Sequence, residues 1–346
     1  MLGSAFQYSY INSKMHALKG DLLQQDDYKN LLHAQGLHAL IECLKTTPYG
    51  KDMDQSIDSY EALSLSYSKN LLNQYTKLMN HASGNPRLLI YHLYQRYEME
   101  NLKLALRAVC YDMPKEKAFR LLLPLTRYQT IFPDRLIEAN CLSDLIQQLK
   151  GTWYFDPLDN AAYRFENDGE TFPLEMALDL QYYERLWKIA SSLRRHDRKI
   201  AKDLIGIRLD ELNILWICRF KESYHFSPEE ILNYSLINGS FINQKRRKGL
   251  AYSIDQKDIV DRLKDTPYYG ILNDISDPEV ADSVLLGYLL RLAKRNWSSS
   301  PFQIGTILDY LIFKEIEVRD LRIITEGKNM SFPVESIKRH LVNTVF

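Results

Sequence analysis

The sequence has few of the features that mark a secreted, redox-active or membrane-spanning protein. Its 346 residues include four cysteines, none close to another, so the CxxC spacing of redox and zinc sites is missing. The opening MLGSAFQYSY lacks the basic start and apolar core of a signal peptide. No apolar run approaches the roughly 18 residues that a membrane span needs. We therefore expect a cytoplasmic protein whose cysteines are buried free thiols.

Net charge of either sign is also lacking. The 44 Lys and Arg residues balance 44 Asp and Glu residues, and the formal net charge is +0. A chain without a net field is not drawn to nucleic acid or to acidic lipid, so we expect no nucleic-acid partner. The one basic run, Lys245 to Lys248, is interpreted as part of a solvated loop over residues 243–249.

Motifs of catalysis and of cofactor binding are missing as well. The sequence contains no G-x-x-x-x-G-K-[ST], no G-x-G-x-x-G, no H-E-x-x-H and no G-x-S-x-G. His33 and His38 are five positions apart, which places them on different faces of a helix without a third ligand nearby. We therefore predict that the chain is not an enzyme and that it has no catalytic residues, no cofactor and no metal site.

What the sequence does contain is a motif that occurs three times. Leu, Lys, Thr and Tyr keep the same offsets in Leu44–Tyr49, Leu149–Tyr154 and Leu263–Tyr268. Two of the copies have Pro before the Tyr, whereas the second has Trp153. The copies are about a third of the chain apart, and such a self-match indicates a unit that is repeated along the chain.

Two further markers follow each copy in the same order. The first is an acidic residue with Asn or Asp three positions later: Glu98 and Asn101, Asp210 and Asn213, Glu317 and Asp320. The second is a Pro-x-Glu that suits the first turn of a helix, at Pro114, Pro228 and Pro333. We therefore predict three similar helical units, at residues 1–112, 113–226 and 227–346, the last with a closing C-terminal helix.

Apolar residues recur at helical spacing through most of the chain, and β alternation is not convincing, so we predict an all-α fold. Residues 87–109 read as an amphipathic helix whose solvent side carries Arg96, Glu98, Glu100, Lys103 and Arg107. Ser227 and Glu230 predict a helix N-terminus with a capping box. Residues 296–301 read as a loop.

The repeated residues also suggest two hypotheses about contacts. Each tyrosine turn either ends a helix, with its Tyr packed in its own domain, or belongs to a ring of contacts around one axis. On the second view Tyr49, Tyr154 and Tyr268 are candidate interface residues. Asn101, Asn213 and Asp320 are expected to be buried polar residues that bond a nearby loop backbone, and we hypothesise that each one ties the tyrosine turn of its own unit.

Taken together these residues resemble a known family. The opening Y-I-N-S-K-M-H-A-L-K-G-D-L-L, the T-P-Y-G turn, the segment Tyr97–Lys103 and the threefold recurrence are similar to the C subunits of A-type and V/A-type rotary ATPases, whose counterpart in the eukaryotic V-ATPase is called d. The resemblance covers essentially the whole chain. The second unit departs most, because Trp153 stands where the other turns have Pro.

The resemblance implies both a structure and a role. Family members resemble funnels of three similar helical domains around a pseudo-threefold axis. They sit in the central rotor, or central stalk, between the D and F shaft subunits and the membrane ring of proteolipid subunits, and they touch the membrane only through that ring. They carry no catalytic residues and transmit torque between ATP chemistry and H⁺ or Na⁺ transport.

Three other classes of protein fit less well. A free α-helical scaffold that binds peptides is the main alternative, but such scaffolds have repeats of roughly 34 to 47 residues. A helical enzyme would need a cluster of titratable groups that the sequence does not display. A nucleic-acid binder is disfavoured by the zero net charge.

Overall fold

The computed structural model describes residues 13–53, 57–273, 280–299 and 303–343. These residues form helices and no strands, which confirms the predicted all-α class. Two compact units are present, one made of residues 72–189 and one made of residues 1–71 together with 190–346, and the division falls within two long helices. The three-way division at residues 112 and 226 stays a prediction.

The larger unit contains the helices at both ends of the described sequence. Residues 13–20 are helical and are called α1. The other elements are α2 (Gln25–His33), α3 (Gly36–Lys45), a 3₁₀ turn (Pro48–Lys51), most of α4 (Tyr60–His81), α11 (Arg195–Glu222), α12 (Pro228–Asn233), α13 (Gln244–Ala251), α14 (Gln256–Asp261), α15 (Pro267–Leu272), α16 (Ala281–Ser299), α17 (Ile304–Asn329) and α18 (Val334–Arg339).

The smaller unit begins within α4 and ends within α10. Its helices are α5 (Gly84–Cys110), α6 (Lys115–Leu121), α7 (Pro133–Ile137), α8 (Leu142–Gln148), α9 (Phe155–Asp168) and α10 (Phe172–Ser192). Helix α9 ends at Gly169, whose φ of 70° places it in the left-handed region that glycine adopts without steric cost.

Three long helices, α5, α11 and α17, carry the repeated acidic markers and are buried on most of their surface. Apolar residues such as Leu102, Leu209 and Leu321 are at most 1% exposed. The prediction that α5 keeps its charged residues in water is wrong for two of them: Glu98 is 0% exposed and Lys103 is 7% exposed. Lys103 tolerates burial because its ammonium lies 2.6 Å from the Asp179 carboxylate.

Local signals of helix ends are mostly confirmed, with two exceptions. The Ser227 hydroxyl accepts the Glu230 backbone N–H, and the Glu230 side chain accepts that of Ser227, which is the predicted capping box. The basic loop predicted over residues 243–249 is wrong, because the Asn243 side chain caps helix α13 there. The loop predicted from residue 296 is also wrong as far as Ser299, where α16 continues, and its last two positions lie outside the described residues.

The cysteine prediction is correct in part. All four thiols are free, but Cys141 is exposed and the other three are half-buried. Burial raises the pKa of Cys110 to about 11 and that of Cys218 to about 12, so both thiols stay protonated at neutral pH.

A left-handed residue that is not glycine follows each of the three long helices. Asp112, His225 and Ser331 have φ values of 49°, 52° and 58°. Asp112 and Ser331 precede equivalent bonds in which the next N–H reaches five residues back, from Met113 to Ala108 and from Phe332 to Gly327. The conformation costs an L-residue roughly 1–2 kcal/mol that glycine does not pay.

Replacing these three residues with glycine should therefore stabilise the protein. We expect Asp112→Gly, His225→Gly and Ser331→Gly each to raise the free energy of unfolding by up to about 1 kcal/mol, because relief of the left-handed strain exceeds the added chain entropy. Urea titration measures the change. Ser331→Ala is the matched control: it keeps the strain, so an equal gain from alanine would contradict the explanation.

Candidate functional site

The three tyrosine turns have one local geometry. In each copy the Thr hydroxyl donates to the carbonyl of the Leu three residues back, at 2.7 Å for Thr47, Thr152 and Thr266. The same Thr oxygen accepts the backbone N–H of the Tyr at 3.3 Å. Trp153, which stands where the other turns have Pro, therefore leaves these two hydrogen bonds of the second turn unchanged. Thr47 and Thr266 cap the helical segments that begin at the next residue, whereas the helix after the second turn begins at Phe155. In all three turns the Tyr side chain is buried in the core.

Each tyrosine hydroxyl donates a hydrogen bond to one of the repeated carboxylates. Tyr154 bonds Glu98 at 2.7 Å, Tyr268 bonds Asp210 at 2.9 Å and Tyr49 bonds Glu317 at 2.8 Å. We call these three pairs the acid–tyrosine contacts. The first two are separated by 56 and 58 residues, whereas Tyr49 and Glu317 are 268 residues apart. In the first two copies the acid of one predicted unit thus binds the tyrosine of the next.

The same carboxylates also bind the backbone of a loop. Asp210 accepts the N–H groups of Ser240, Phe241 and Ile242 at 2.7 to 3.1 Å. The loop approaches so closely that Gly239 has no room for a β-carbon beside the Asp210 carboxylate. A buried carboxylate with this many donors has the solvation that water would otherwise supply.

Glu98 and Glu317 follow the same pattern with different donors. Glu98 accepts the N–H groups of Thr130 and Ile131 together with the Thr130 hydroxyl. Glu317 accepts the Leu23 N–H at 2.6 Å and the Lys314 ammonium at 2.7 Å. Each acid thus holds a loop and a tyrosine turn against its long helix.

The third contact differs because it contains a buried ion pair. Lys314 is 3% exposed, and its ammonium lies 4.0 Å from the centre of the Tyr49 ring as well as beside Glu317. The residues that stand three positions before Glu98 and Asp210 are Gln95 and Ile207, which carry no charge. Lys314 was not predicted from the sequence, where the only signal was a Lys one helical turn before a marker acid.

The hypothesis that Asn101, Asn213 and Asp320 tie the tyrosine turns is wrong, whereas the expected bond to a nearby loop backbone is confirmed. Asn101 pairs with both the N–H and the carbonyl of Leu123, at 2.8 and 2.9 Å. Asn213 does the same with Leu236, at 2.8 and 3.0 Å.

Asp320 has the same role with different chemistry. Its carboxylate accepts the N–H groups of Val342 and Asn343 at 3.0 and 2.9 Å. A carboxylate only accepts, so it pairs with two N–H groups where each Asn amide pairs with one N–H and one carbonyl.

Burial governs the protonation of these groups. Burial and then the adjacent carboxylate raise the pKa of Tyr49, Tyr154 and Tyr268 well above the ordinary value for tyrosine. Burial also raises the pKa of Asp210, against the opposing effect of the backbone N–H groups and Tyr268. The tyrosines are therefore neutral donors at physiological pH, and none is an activated nucleophile or base.

The side chains of the predicted interface residues lie in the core. Tyr49, Tyr154 and Tyr268 are 1%, 0% and 1% exposed. The repeated residue that does reach the surface of each turn is the lysine: Lys45, Lys150 and Lys264 are exposed. Lys45 and Lys264 make solvent-exposed ion pairs with Glu42 and Asp261, which stabilise little.

Two other kinds of functional feature do not occur in the part of the chain that the structure describes. Over the described ranges, no group of three His, Cys, Asp or Glu side chains is arranged to hold a metal ion. None of the helices within those ranges combines the length and the apolar character required to cross a membrane.

Removing one tyrosine hydroxyl tests the acid–tyrosine contacts. We expect Tyr49→Phe, Tyr154→Phe and Tyr268→Phe each to lower the free energy of unfolding by about 1.5–3 kcal/mol, because a buried carboxylate loses a donor. Tyr67→Phe is the matched control, since Tyr67 is also 0% exposed and, within the described ranges, its hydroxyl bonds the neutral Thr325 hydroxyl at 2.9 Å rather than a carboxylate. Equal losses at all four sites, measured by urea titration, would argue against a special role for the carboxylates.

Asn213→Leu tests which loop the second Asn holds. We expect a loss of about 1–3 kcal/mol of stability, because the Leu236 N–H and carbonyl lose their partner. Hydrogen exchange should accelerate in residues 234–242 and stay unchanged in the tyrosine turn at residues 149–154. Faster exchange in that turn would instead revive the original hypothesis.

Comparison with known proteins points to one family. The model of the family "ATP synthase (C/AC39) subunit" matches residues 11–340. The A-type ATP synthase C subunit of Methanosarcina mazei is 26% identical over 343 residues, which cover 97% of this chain and 92% of that protein. The C subunits of Methanosphaera stadtmanae and Methanococcoides burtonii are 27% and 26% identical, over 97% and 98% of this chain and over 88% and 95% of those proteins. These relatives are named as subunits of an ATP synthase, which agrees with the prediction that the chain is not an enzyme by itself. The chain belongs to the ATP synthase (C/AC39) subunit family.

Proposed function

We propose that this chain is a non-catalytic subunit of the central rotor of a V/A-type rotary ATPase. In this role it links the D and F shaft subunits to the proteolipid ring and transmits torque between ATP hydrolysis or synthesis and H⁺ or Na⁺ transport. The observation that carries the proposal is the match of the family model over residues 11–340. The A-type ATP synthase C subunits that resemble the chain do so along nearly its whole length.

The proposal includes a pseudo-threefold, funnel-shaped arrangement of three helical domains. It is supported by the three acid–tyrosine contacts, which repeat one set of bonds on α5, α11 and α17. Chemically equivalent contacts in three segments of similar length favour three domains of similar build. Such a body offers equivalent contact points at a distance from the rotation axis, as a torque-bearing joint requires.

A rotor part must also resist local deformation. Each acid–tyrosine contact ties a loop and a turn to a long helix through buried, charge-assisted hydrogen bonds, which are shorter and stronger than neutral ones. Breaking any one of them would leave a buried carboxylate without hydrogen-bond partners, which is costly. These contacts therefore suit a protein that passes force from one neighbour to another.

The tyrosine turns remain our candidates for contact with the shaft or the ring. Because their tyrosine rings are buried, the contacts would come from the exposed lysines Lys45, Lys150 and Lys264. The Leu, Thr and Tyr of the repeat have clear structural roles, whereas the surface lysine has none of comparable weight. Its presence in all three copies favours a role in binding an acidic surface.

The proposed location follows from the same role. The chain would lie on the cytoplasmic face of the membrane and reach the membrane only through the proteolipid ring. Its partners would be the other subunits of the ATPase and no nucleic acid.

Purification of the complex from its own host tests the proposal. A tagged chain is isolated from gently solubilised membranes, and we expect the head subunits, the shaft and a small proteolipid to co-elute. Recovery of the chain alone, from membranes that still hold an intact rotary ATPase, would overturn the proposal and favour a free helical scaffold.

Charge reversal in the same experiment tests the turns. Lys45→Glu, Lys150→Glu and Lys264→Glu combined should lower recovery of shaft or ring subunits several-fold, because like charges would then face an acidic partner. Lys69→Glu, Lys117→Glu and Lys257→Glu combined form a control with the same charge change at exposed sites outside the turns. Equal recovery from both triple variants would show that the turns are only structural.

A further inference from the structure

One buried acid of α17 differs from the others because no residue in the described part of the chain bonds it. Asp309 is 0% exposed, and among the described residues neither of its carboxylate oxygens has a hydrogen-bond partner. Glu317 and Asp320 on the same helix are equally buried but accept several hydrogen bonds each. An unsatisfied buried carboxyl is costly, and such groups are concentrated at functional positions.

The charged group that acts on Asp309 belongs to α1. The Lys19 ammonium lies 4.6 Å from the centre of the Trp297 ring of α16 and 5.6 Å from that of Phe313 on α17. Its charge favours the ionised form of Asp309, although no ion pair joins the two groups in the described structure. Lys19 is thus held by aromatic faces, while the nearby Asp309 carboxyl has no donor among the residues that the structure describes.

Other titratable groups lie near Lys19, near Trp297 and at the start of α17. His16 of α1 packs edge-on against Trp297, at 5.2 Å between ring centres, and Lys294 of α16 is close enough to Lys19 to repel it. From α11, the Asp197 carboxylate accepts the Ile304 N–H at 3.1 Å. Gly305, one turn before Asp309, keeps the packing beside the carboxylate free of a side chain.

Burial sets the protonation of both partners. It raises the pKa of Asp309 to about 8, and Lys19 offsets only part of that rise. Burial likewise lowers the pKa of Lys19. Near neutral pH the Asp309 carboxyl therefore carries a proton, and its attraction for the Lys19 ammonium begins only when that proton leaves.

We propose that Asp309 and Lys19 form a proton-operated latch between α1 and α17. With the Asp309 carboxyl protonated, the Lys19 ammonium rests on the Trp297 ring. With the carboxyl ionised, the Lys19 ammonium leaves the Trp297 ring and binds the carboxylate, and α1 moves relative to α16 and α17. The inference concerns this chain alone and is independent of the rotary role proposed above.

The direction of the linked stability change follows from the raised pKa. Between the ordinary pKa of aspartate, roughly 4, and a pH of about 8, Asp309 is protonated in the folded chain but ionised in the unfolded chain. Folding stability therefore falls as the pH rises through this window, and above it the full penalty of the buried carboxylate is present. Asp309→Asn removes the ionisation, so its stability relative to the wild type should grow with pH.

Fluorescence of Trp297 in the full chain reports the latch directly. The Trp297 emission is the difference between the wild type and Trp297→Phe, recorded from about pH 6 to about pH 10. We expect a one-proton transition with a midpoint near pH 8. Asp309→Asn should abolish it, because the carboxyl no longer ionises, and Lys19→Met should abolish it, because no ammonium moves.

Two control variants separate the latch from its neighbours. His16→Gln and Lys294→Met should both keep the transition, since His16 packs against Trp297 and Lys294 interacts electrostatically with Lys19, while both variants keep Asp309 and Lys19. A transition that survives in Asp309→Asn, or that disappears in His16→Gln, would overturn the proposal.

A measurement on the wild type keeps the test independent of the folding of any variant. The carboxyl carbon of Asp309, followed by ¹³C NMR, should titrate near pH 8. Its midpoint should rise further in Lys19→Met, because the favourable charge is gone. Titration near the ordinary aspartate value, or a wild-type Trp297 emission that is independent of pH, would show that the latch does not exist.

Discussion

A buried carboxylate shared between a tyrosine hydroxyl and a loop backbone is the central interaction of this protein. Glu98, Asp210 and Glu317 each stand near the middle of a long, mostly buried helix. A carboxylate in such a position is tolerated only if donors surround it. The fold supplies them from two directions, a loop and a tyrosine turn, and the short helices between those segments are thereby fixed to the long helix.

The two residues of each marker pair bind different segments of the chain. The acid binds the tyrosine turn and one loop, and the Asn or Asp three residues later, on the same face, binds a second loop. Because both residues are desolvated, the loops have little freedom to move independently. Short helices such as α7 and α12, with five and six residues, are too short to be stable alone, and these contacts hold them in place.

Helix α17 combines two kinds of buried ionisable group. Lys314 and Glu317 form an ion pair under the Tyr49 ring, whereas the Asp309 carboxyl has no hydrogen-bond partner among the described residues. In the same copy of the repeat, the tyrosine and the acid come from segments 268 residues apart. The third acid–tyrosine contact therefore depends most on long-range docking, and its lysine adds a charge-assisted bond from a position that is uncharged in the other two copies.

Local spacing and capping chemistry were enough to establish the helical class, the threefold recurrence and several helix ends before any fold was known. The Ser227 capping box and the threonine turns involve residues at most three positions apart, so their geometry can be predicted without tertiary information. The resemblance to the C subunits of rotary ATPases used the same local markers in their order along the chain.

By contrast, the pairing of acids with tyrosines and the burial of charged residues came from packing alone. Glu98 and Lys103 look like surface residues of α5, because helical periodicity marks a polar face but does not reveal that another element covers it. The contact of Glu317 with Tyr49 joins distant segments, and no local rule specifies it. The physical reason is that burial is a property of the packed molecule: a carboxylate is stable in the core only where the fold brings donors to it.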